Sequence, residues 1–410
     1  MAASPGAPSP VAQQYTKWVY PKPIMDLSAP ELQGIRDGGD PENNFYTYWP
    51  NQAYRDDLDI LIAGCGSNAA ARYAFNHPAA RVVGIDISPA SLAHEAYLKQ
   101  KHALDNLTLH RLTLEEAQSL ERPFDFIEVS GVVHHLPDPV AGLKALGSVL
   151  RPNGTIAIMV YGRYGRTGVY MLQELFRLLA LEQTDQDLAV VKQAIAAVPK
   201  HHVIREYMSR ARDLSYDAGL VDTFLHSQDR PFTVAECLDL VRHAGLSFMG
   251  WLDNIFYYPE GQIPPDRPLN ARINALPEER IWSSMELFNS TLGQHYFCAC
   301  RSTRPASTYK ITFAGPEFMS YIPVLRSQRV ASKAGVPEGC ITIKRAPWPD
   351  YVLNPVISAL FLQIDGHKSI ADCFAGAKLA LQYQRQREDV CRDAFRYLWR
   401  LGYIFLRIPA

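Results

Sequence analysis

Residues 59–68 read Asp-Ile-Leu-Ile-Ala-Gly-Cys-Gly-Ser-Asn, and residues 81–86 read Arg-Val-Val-Gly-Ile-Asp. Each stretch contains a short apolar run, which predicts a strand buried on both faces. Gly64 and Gly66 predict a tight turn whose backbone can approach a ligand closely, because no Cβ stands in the way. The Ala-rich segment 69–75 predicts a helix after this turn. Asp86, twenty residues after Gly66, stands where an acid chelates two ribose hydroxyls.

The residues around this turn favour some nucleotides over others. The dinucleotide fingerprint needs a third glycine for close packing of the helix on the strand, and here Ser67-Asn68-Ala69 follows Gly66 instead. No lysine of the P-loop type follows the turn either. A nicotinamide dinucleotide and a nucleoside triphosphate are therefore disfavoured. The alternative that this is an ordinary βα turn that binds no ligand is not excluded by these residues.

Length and composition bound the class of protein. The chain has 410 residues, 47% of them apolar, so two domains with a substantial core are expected. No run reaches about 18 apolar residues, so we expect no membrane-spanning helix and no membrane partner. The formal net charge of −1 argues against a nucleic-acid partner.

Features of the N-terminus and the cysteines bear on location. Residues 1–10 lack the basic start and apolar core of a secretory signal and predict a flexible tail rich in proline, alanine and serine. Residues 11–56 carry many aromatic residues and prolines, which predicts either a structural arm or a cover over a ligand site. Seven cysteines without zinc-finger spacing indicate reduced thiols. We therefore expect a cytoplasmic protein without a bound metal.

Strand and helix patterns alternate closely between residues 59 and 161, which predicts a parallel sheet with helices on both faces. Ser88 and Pro89 are good start signals for the helix 89–102. The expected strands are 59–63, 81–85, 107–112, 124–130 and 155–161, followed by 246–251 and 295–300.

Two further motifs make the pattern specific. Residues 124–139 read Phe-Asp-Phe-Ile-Glu-Val-Ser-Gly-Val-Val-His-His-Leu-Pro-Asp-Pro, and residues 150–155 read Leu-Arg-Pro-Asn-Gly-Thr. With the Gly-Cys-Gly-Ser turn, these resemble the motifs of class I S-adenosylmethionine-dependent methyltransferases, in the same order and at the same spacing. The resemblance implies a Rossmann-like sheet of seven strands and S-adenosyl-L-methionine as cofactor. Asn68 replaces a glycine of the family motif, and asparagine tolerates the left-handed backbone conformation better than most residues.

The resemblance also implies roles for single residues. Gly64 and Gly66 pass the methionine end of the cofactor, Asp86 holds the ribose, and Ile87 packs on the adenine. Ser130 and Gly131 lie near the reacting sulfonium, and the adenine contact of the third motif falls on Thr113 and Leu114. The complete expected cofactor set is Ala63, Gly64, Cys65, Gly66, Asn68, Asp86, Ile87, Thr113, Leu114, Ser130 and Gly131.

Residues 162–232 are too long for a simple connection after strand five, and they predict a helical insertion that acts as a lid over the acceptor. Two helices, 167–182 and 184–197, precede a stretch rich in histidine, tyrosine and aspartate. Methyl transfer needs a base only if the acceptor must lose a proton, and histidine suits that role. The candidates for catalytic residues are His135, His134, Tyr161 and His226.

The expected domains are an arm (1–56), the methyltransferase domain (57–302) and a C-terminal accessory domain (303–410). Helical patterns at 355–364, 369–381 and 387–401 predict a small α-rich module resembling a winged helix, which caps the protein or forms a homodimer. The residues favour transfer of a methyl group to a small-molecule hydroxyl, phenol or thiol. The alternatives are S-methylation of thiols specifically, methylation of a peptide- or carrier-bound acceptor, and binding of S-adenosylmethionine without catalysis.

Overall fold

The computed structural model describes residues 10–32, 34, 36–326, 330–332, 335–344 and 350–409. Residues 1–9 of the predicted flexible tail lie outside the described residues. The described residues form two compact units, the first within residues 1–37, 55–248 and 289–303 and the second within residues 38–54, 249–288 and 304–410. These limits differ from the domains expected from the sequence, because residues 38–54 of the arm and residues 249–288 of the predicted methyltransferase domain belong to the second unit.

The elements alternate much as the sequence predicts. The described α-helices are α1 (Pro10–Lys17), α2 (Pro41–Tyr48), α3 (Ala69–Asn76), α4 (Pro89–Lys101), α5 (Pro139–Ser148), α6 (Thr167–Leu178), α7 (Asp185–Ala197), α8 (Ile204–Arg210), α9 (Asp217–Phe224), α10 (Val234–His243), α11 (Pro268–Asn274), α12 (Glu278–Asn289), α13 (Pro355–Phe361), α14 (Ile370–Gly376), α15 (Leu381–Gln384) and α16 (Arg387–Arg400). The described strands are β1 (Asp59–Ala63), β2 (Arg81–Asp86), β3 (Leu107–Arg111), β4 (Phe124–Ser130), β5 (Leu150–Tyr161), β6 (Leu246–Trp251), β7 (Gln294–Arg301), β8 (Ile322–Leu325), β9 (Val330–Ser332), β10 (Ile341–Lys344), β11 (Tyr351–Leu353) and β12 (Ile404–Arg407). Among these described helices, none is long and apolar enough to cross a membrane.

The predicted seven-stranded sheet is confirmed, with the strand order β3-β2-β1-β4-β5-β7-β6. Ile60 in β1 pairs in parallel with Val82 of β2 on one side and with Phe126 of β4 on the other. Strand β7 runs antiparallel to β5. The order of strands reverses between β1 and β4, and in open α/β sheets ligands bind at such a reversal, outside the carboxyl ends of the strands.

Close packing of α3 on the sheet depends on two small residues. A Cβ atom built on Gly84 of β2 would lie 2.6 Å from the Cβ atom of Ala70 in α3. A glycine within the strand therefore permits the close helix–strand approach that the third glycine of the dinucleotide fingerprint provides elsewhere. The glycine turn needs no third glycine for this purpose.

The insertion after β5 is helical, as predicted, and is larger than the two expected helices. Helices α6 and α7 occupy much of the predicted ranges, and the polar stretch after them forms α8 and α9. The additional helices form because this stretch also carries apolar residues, among them Ile204 and Phe224, which pack in one core with Val169 and Val191. The insertion therefore has a hydrophobic core of its own.

The second unit has a separate core built from α13, α14 and α16 with two small sheets. Strand β12 pairs with β8, and the order of the three-stranded sheet is β11-β10-β9. Helix α2 belongs to this unit, where the Tyr46 ring lies 6.4 Å from that of Phe405. The predicted arm 1–56 is therefore divided between the two units. The winged-helix resemblance of the C-terminal module stays a prediction.

Candidate active site

The glycine turn between β1 and α3 has the geometry that its sequence indicates. Gly64 and Gly66 both adopt positive φ angles, of 75° and 56°. The N–H groups of Gly64 and Cys65 donate to the carbonyl oxygen of Ile85 at 2.8 and 3.0 Å, which ties the turn to β2. A side chain on Gly64 would collide with Val132, which follows β4. Ala63, at the end of β1, is fully buried.

Asn68 takes a different conformation from the one expected. Its φ angle is −156°, so the turn needs no left-handed residue at this position. The Asn68 Nδ2 atom donates to the Ser67 hydroxyl at 3.2 Å, and the side chain makes no capping bond to α3. The replacement of glycine by asparagine is therefore tolerated because the backbone here is not in the left-handed region.

Asp86 connects the turn to the end of β2. Its Oδ2 atom accepts from the Gly66 N–H and its Oδ1 atom from the Ser88 N–H, both at 2.8 Å. Burial raises the pKa of Asp86, whereas these main-chain donors act to lower it. Each carboxylate oxygen has further lone pairs, so both can still accept from ribose hydroxyls. The structure thus brings Asp86 and the glycine turn together as predicted.

The residues expected at the adenine lie beside this edge. Ile87 is half-buried and follows Asp86 directly. The Thr113 N–H donates to Glu116 Oε2 at 2.9 Å, and Leu114 is buried. An adenine contact by Thr113 or Leu114 stays a prediction.

Ser130 and Gly131 lie at the carboxyl end of β4. The Ser130 hydroxyl forms a hydrogen bond of 2.7 Å with the hydroxyl of Tyr296 from β7. Gly131 has a φ angle of 76°, which favours glycine at this position. These residues lie at the strand edge that carries the glycine turn, and their contact with a sulfonium stays a prediction.

Residues 10–25, named here the N-terminal strap, lie across the glycine turn. The Ser67 hydroxyl donates to the Pro21 carbonyl oxygen at 2.8 Å, and a Cβ atom on Gly66 would lie 2.9 Å from Pro21 Cδ. The Ser88 hydroxyl donates to the carbonyl oxygen of Tyr15 at 3.2 Å. The arm therefore packs on the glycine turn, and a role as a cover over the cofactor stays a prediction.

The same strap reaches the insertion through two tyrosines. The Tyr15 hydroxyl donates to Asp222 Oδ1 at 2.8 Å, and the Tyr20 hydroxyl donates to Asp213 Oδ2 at 3.0 Å. The Tyr20 ring stacks on that of Tyr216 with a centroid distance of 6.4 Å. The strap therefore contacts both the glycine turn and the insertion.

All four candidate catalytic residues meet in one buried cluster. His134 and His135 lie in the turn after β4, Tyr161 ends β5, and His226 comes from the insertion. The rings of His135 and His226 stack with a centroid distance of 3.8 Å, and those of His134 and Tyr161 are 4.0 Å apart. The sequence indicates these residues singly, and the tertiary structure brings them together.

The main chain of Gln228 determines which ring nitrogens carry protons. His135 Nδ1 lies 2.7 Å from the Gln228 carbonyl oxygen, which only accepts, so Nδ1 carries the proton and Nε2 keeps a free lone pair. The Gln228 N–H donates to His226 Nδ1 at 3.0 Å, so a neutral His226 carries its proton on Nε2. Of these two rings, His135 alone presents Nε2 as a base.

Burial keeps the three histidines neutral. It lowers the pKa of His135 to about 4 and that of His226 to about 3, and it also lowers the pKa of His134 well below the usual value. Burial raises the pKa of the Tyr161 hydroxyl well above its usual value. Near neutral pH, His135 is therefore an unprotonated and weak base, and Tyr161 is a neutral phenol.

Arg166 and Asp222 also belong to this cluster, and sequence patterns give little or no indication of a functional role for either. The buried guanidinium of Arg166 lies 3.6 Å from the centre of the Tyr161 ring and donates to the Tyr207 hydroxyl at 2.7 Å. Burial raises the pKa of the Asp222 carboxyl to about 7. Asp222 belongs to the polar stretch that the sequence marks, whereas no motif identifies Arg166.

His135, Asp222 and His226 place possible metal-binding atoms within 4.8 Å of one another. The tautomer of His226 disfavours a metal here, because its Nε2 carries a proton and its Nδ1 already accepts a main-chain N–H. The Tyr15 hydroxyl also occupies one oxygen of Asp222. This group fits a hydrogen-bond network better than a metal centre.

His134, His135 and Asp229 form a second group of the same kind. Here the Arg166 guanidinium lies 3.7 Å from Asp229, and both side chains are almost fully buried. A divalent cation would add positive charge beside a buried cation, which is unfavourable at low local dielectric. The absence of a metal remains a prediction from the sequence.

Comparisons with known proteins agree with this geometry. Residues 61–156 match the family model described as a methyltransferase domain. These residues form a methyltransferase domain. The match includes the glycine turn, Asp86 and the His134–His135 turn, and the predicted methyltransferase domain is confirmed over these residues.

Two relatives differ in how much of this chain their similarity covers. An uncharacterised protein of Synechococcus sp. is 29% identical over 253 residues, which are 60% of this chain and 61% of that protein. A ubiquinone biosynthesis O-methyltransferase of Leptothrix cholodnii is 29% identical over 113 residues, which are 26% of this chain and 46% of that enzyme. The chain thus spans less than two thirds of the length of these curated relatives.

A solved structure shares the fold over most of the chain. PKMT2 of Rickettsia typhi, determined in complex with AdoHcy, superposes with a TM-score of 0.61. The superposition covers 90% of this chain and 75% of the PKMT2 chain. The sequence identity is 14%, so the likeness shows the fold. The predicted Rossmann-like methyltransferase fold is thereby confirmed.

Proposed function

We propose that this chain is an S-adenosylmethionine-dependent methyltransferase that transfers the methyl group to a phenol or a thiol of a small molecule. The observation that carries the proposal is the lone pair on His135 Nε2, which the main chain of Gln228 holds in a buried cluster beside the cofactor edge. The methyltransferase domain of residues 61–156 supports the reaction class. The names of the ubiquinone biosynthesis relatives support O-methylation.

The chain contributes mainly by holding the two reactants in line. Asp86 and the glycine turn bind the cofactor at the ends of β1 and β2, and the ends of β4 and β5 present the histidine cluster at the same edge. Alignment of nucleophile, methyl group and leaving sulfur can lower the barrier by roughly 7–11 kcal/mol. The contacts of the N-terminal strap with the glycine turn and the insertion favour a small acceptor over a macromolecular one.

The low pKa of His135 favours acidic acceptors. Proton transfer to a group with a pKa of about 4 is uphill by ~8 kcal/mol from a phenol and by ~6 kcal/mol from a thiol, given reference pKa values of about 10 and 8.5. An aliphatic alcohol is a far weaker acid than either. Phenols and thiols are therefore the acceptors that so weak a base disfavours least, and S-methylation is the second candidate because a thiol needs the least help from a base.

The test is methyl transfer from radiolabelled S-adenosylmethionine to matched phenols, thiols and aliphatic alcohols. His135→Asn keeps a donor toward the Gln228 carbonyl oxygen and removes the Nε2 lone pair. We expect kcat to fall by about 10²–10⁴-fold, with unchanged affinity for S-adenosylhomocysteine. His201→Asn, at an exposed position, is the matched control.

Transfer to none of these acceptors by the wild-type chain, despite cofactor binding, would contradict the proposal. Equal kcat values for the wild type and His135→Asn would remove His135 as the base.

A further inference from the structure

The N-terminus of α3, directly after the glycine turn, is occupied by a carboxylate of the chain itself. Glu95 Oε1 accepts from the Ala70 N–H at 2.9 Å, and Oε2 accepts from the Ala71 N–H at 2.8 Å. Glu95 belongs to α4 and is fully buried. Both oxygens are thus engaged by the free N–H groups of another helix.

The N-terminus of a helix after such a turn is where dinucleotide-binding folds hold a pyrophosphate, because its free N–H groups and dipole favour an anion. Here the two oxygens of the Glu95 carboxyl group already accept from two of these donors. A phosphate at the same place would have to displace the Glu95 side chain from these N–H groups and from the space beside them. S-adenosylmethionine carries no phosphate and avoids this conflict.

We propose that Glu95 determines cofactor specificity by filling the N-terminus of α3 and so excluding nucleotides that carry phosphate. This inference rests on the proposed function in one respect, namely that the ligand at Asp86 is a phosphate-free nucleoside. Glu95 acts through Ala70 and Ala71 and touches no reacting atom, so it is a positioning residue. Its role differs from the one proposed for Asp86, which is to contact the ribose itself.

Burial also decides the protonation state of Glu95. Burial raises the pKa of Glu95 to about 8, while the N–H groups of Ala71 and Ala70 act to lower it. Near neutral pH the carboxyl group is therefore largely protonated. It would exclude phosphate by occupying the two N–H groups and the space beside them, and not by its charge.

The experiment compares adenosine, ADP and S-adenosylhomocysteine by calorimetric titration against the full-length wild type, Glu95→Ala and Glu95→Gln. Glu182→Ala, at an exposed position of the insertion, is the control. We expect the ratio of ADP affinity to adenosine affinity to rise at least tenfold in Glu95→Ala. Glu95→Gln keeps the shape but leaves one acceptor oxygen for two N–H groups, and we expect a smaller rise in the same direction. The control ratio should stay at the wild-type value.

An unchanged ratio in both Glu95 variants would overturn the inference and leave Glu95 as a structural cap of α3. If Glu95→Ala does not fold, the ratio measured for Glu95→Gln decides in the same way. Failure of the wild type to bind S-adenosylhomocysteine would instead contradict the proposed function. A rise in ADP affinity in the variants would still support the exclusion of phosphate in that case, so the two failures are distinguishable.

Discussion

Replacement of Asp86 by asparagine is a direct test of the cofactor edge. The two carboxylate oxygens accept from the N–H groups of Gly66 and Ser88, and we expect them to accept from two ribose hydroxyls as well. Asparagine has nearly the same shape but carries one oxygen and one NH₂ group. One main-chain N–H and one hydroxyl would therefore face a donor instead of an acceptor.

The expected loss of affinity follows from these contacts. A hydrogen bond to a charged group contributes about 1.5–3 kcal/mol, and Asp86→Asn removes one such bond to the ribose. At about 1.4 kcal/mol per tenfold, the dissociation constant should rise roughly 10- to 140-fold. The free energy of unfolding without ligand should change by less than the free energy of binding. The variant loses one main-chain hydrogen bond, but it also removes a carboxylate whose ionisation burial disfavours, and the two effects oppose each other.

The assay is calorimetric titration with S-adenosylhomocysteine, with Asp105→Asn as control because Asp105 is exposed. The pH dependence gives a second readout. Since burial raises the pKa of Asp86, protonation should weaken binding at a higher pH than for an exposed aspartate, and this weakening should be absent in Asp86→Asn. Binding by Asp86→Asn within threefold of the wild type would refute the assignment of Asp86 to the ribose (a threefold change corresponds to about 0.7 kcal/mol).

Three other predictions concern stability. The pKa of His135 is about 4 in the folded chain and about 6.5 in the unfolded chain, so the free energy of unfolding should fall as the pH is lowered from 6.5 toward 4. In His135→Asn, urea unfolding should show this pH-dependent loss reduced by up to ~3 kcal/mol. Tyr15→Phe should lower the free energy of unfolding by about 1–3 kcal/mol, because Asp222 Oδ1 loses its donor. Gly84→Ala should lower the thermal midpoint, because the added methyl group would overpack against Ala70 and lower the free energy of unfolding by about 1–3 kcal/mol.

Each of these variants has a matched control. His201→Asn and Tyr164→Phe change exposed side chains, and Gly250→Ala adds a Cβ atom with nothing within 4 Å. We expect these controls to unfold within about 0.5 kcal/mol of the wild type. A variant that behaves like its control would contradict the contact on which its prediction rests.

The local features of the cofactor edge were predictable because they depend on neighbouring residues. The turn at Gly64 and Gly66, the strand that ends at Asp86 and the cap at Ser88 all follow from patterns within a few residues. The expectation for Asn68 was wrong in its conformation, since φ is −156°. The backbone geometry of the whole turn decides that angle, and the residue type alone does not.

The limits of the two units could not be predicted from neighbouring residues. Segment 38–54 lies far in the chain from the C-terminal module, yet it packs there, as the contact between Tyr46 and Phe405 shows. An aromatic segment matches many apolar surfaces, so composition does not select its partner. The helices α8 and α9 were missed for a related reason, because their apolar residues become a core only when α6 and α7 supply the opposing surface.

By itself, the sequence determined the order of strands and helices in residues 59–161, the glycine turn, Asp86 and the methyltransferase resemblance. The tertiary structure decided how distant groups combine. The bond from Tyr15 to Asp222 joins residues 207 positions apart, and the tautomer of His135 depends on a carbonyl 93 positions away. Local preferences act through short-range sterics and hydrogen bonds, whereas the chemistry of a buried group depends on its neighbours in space, which only the packed chain provides.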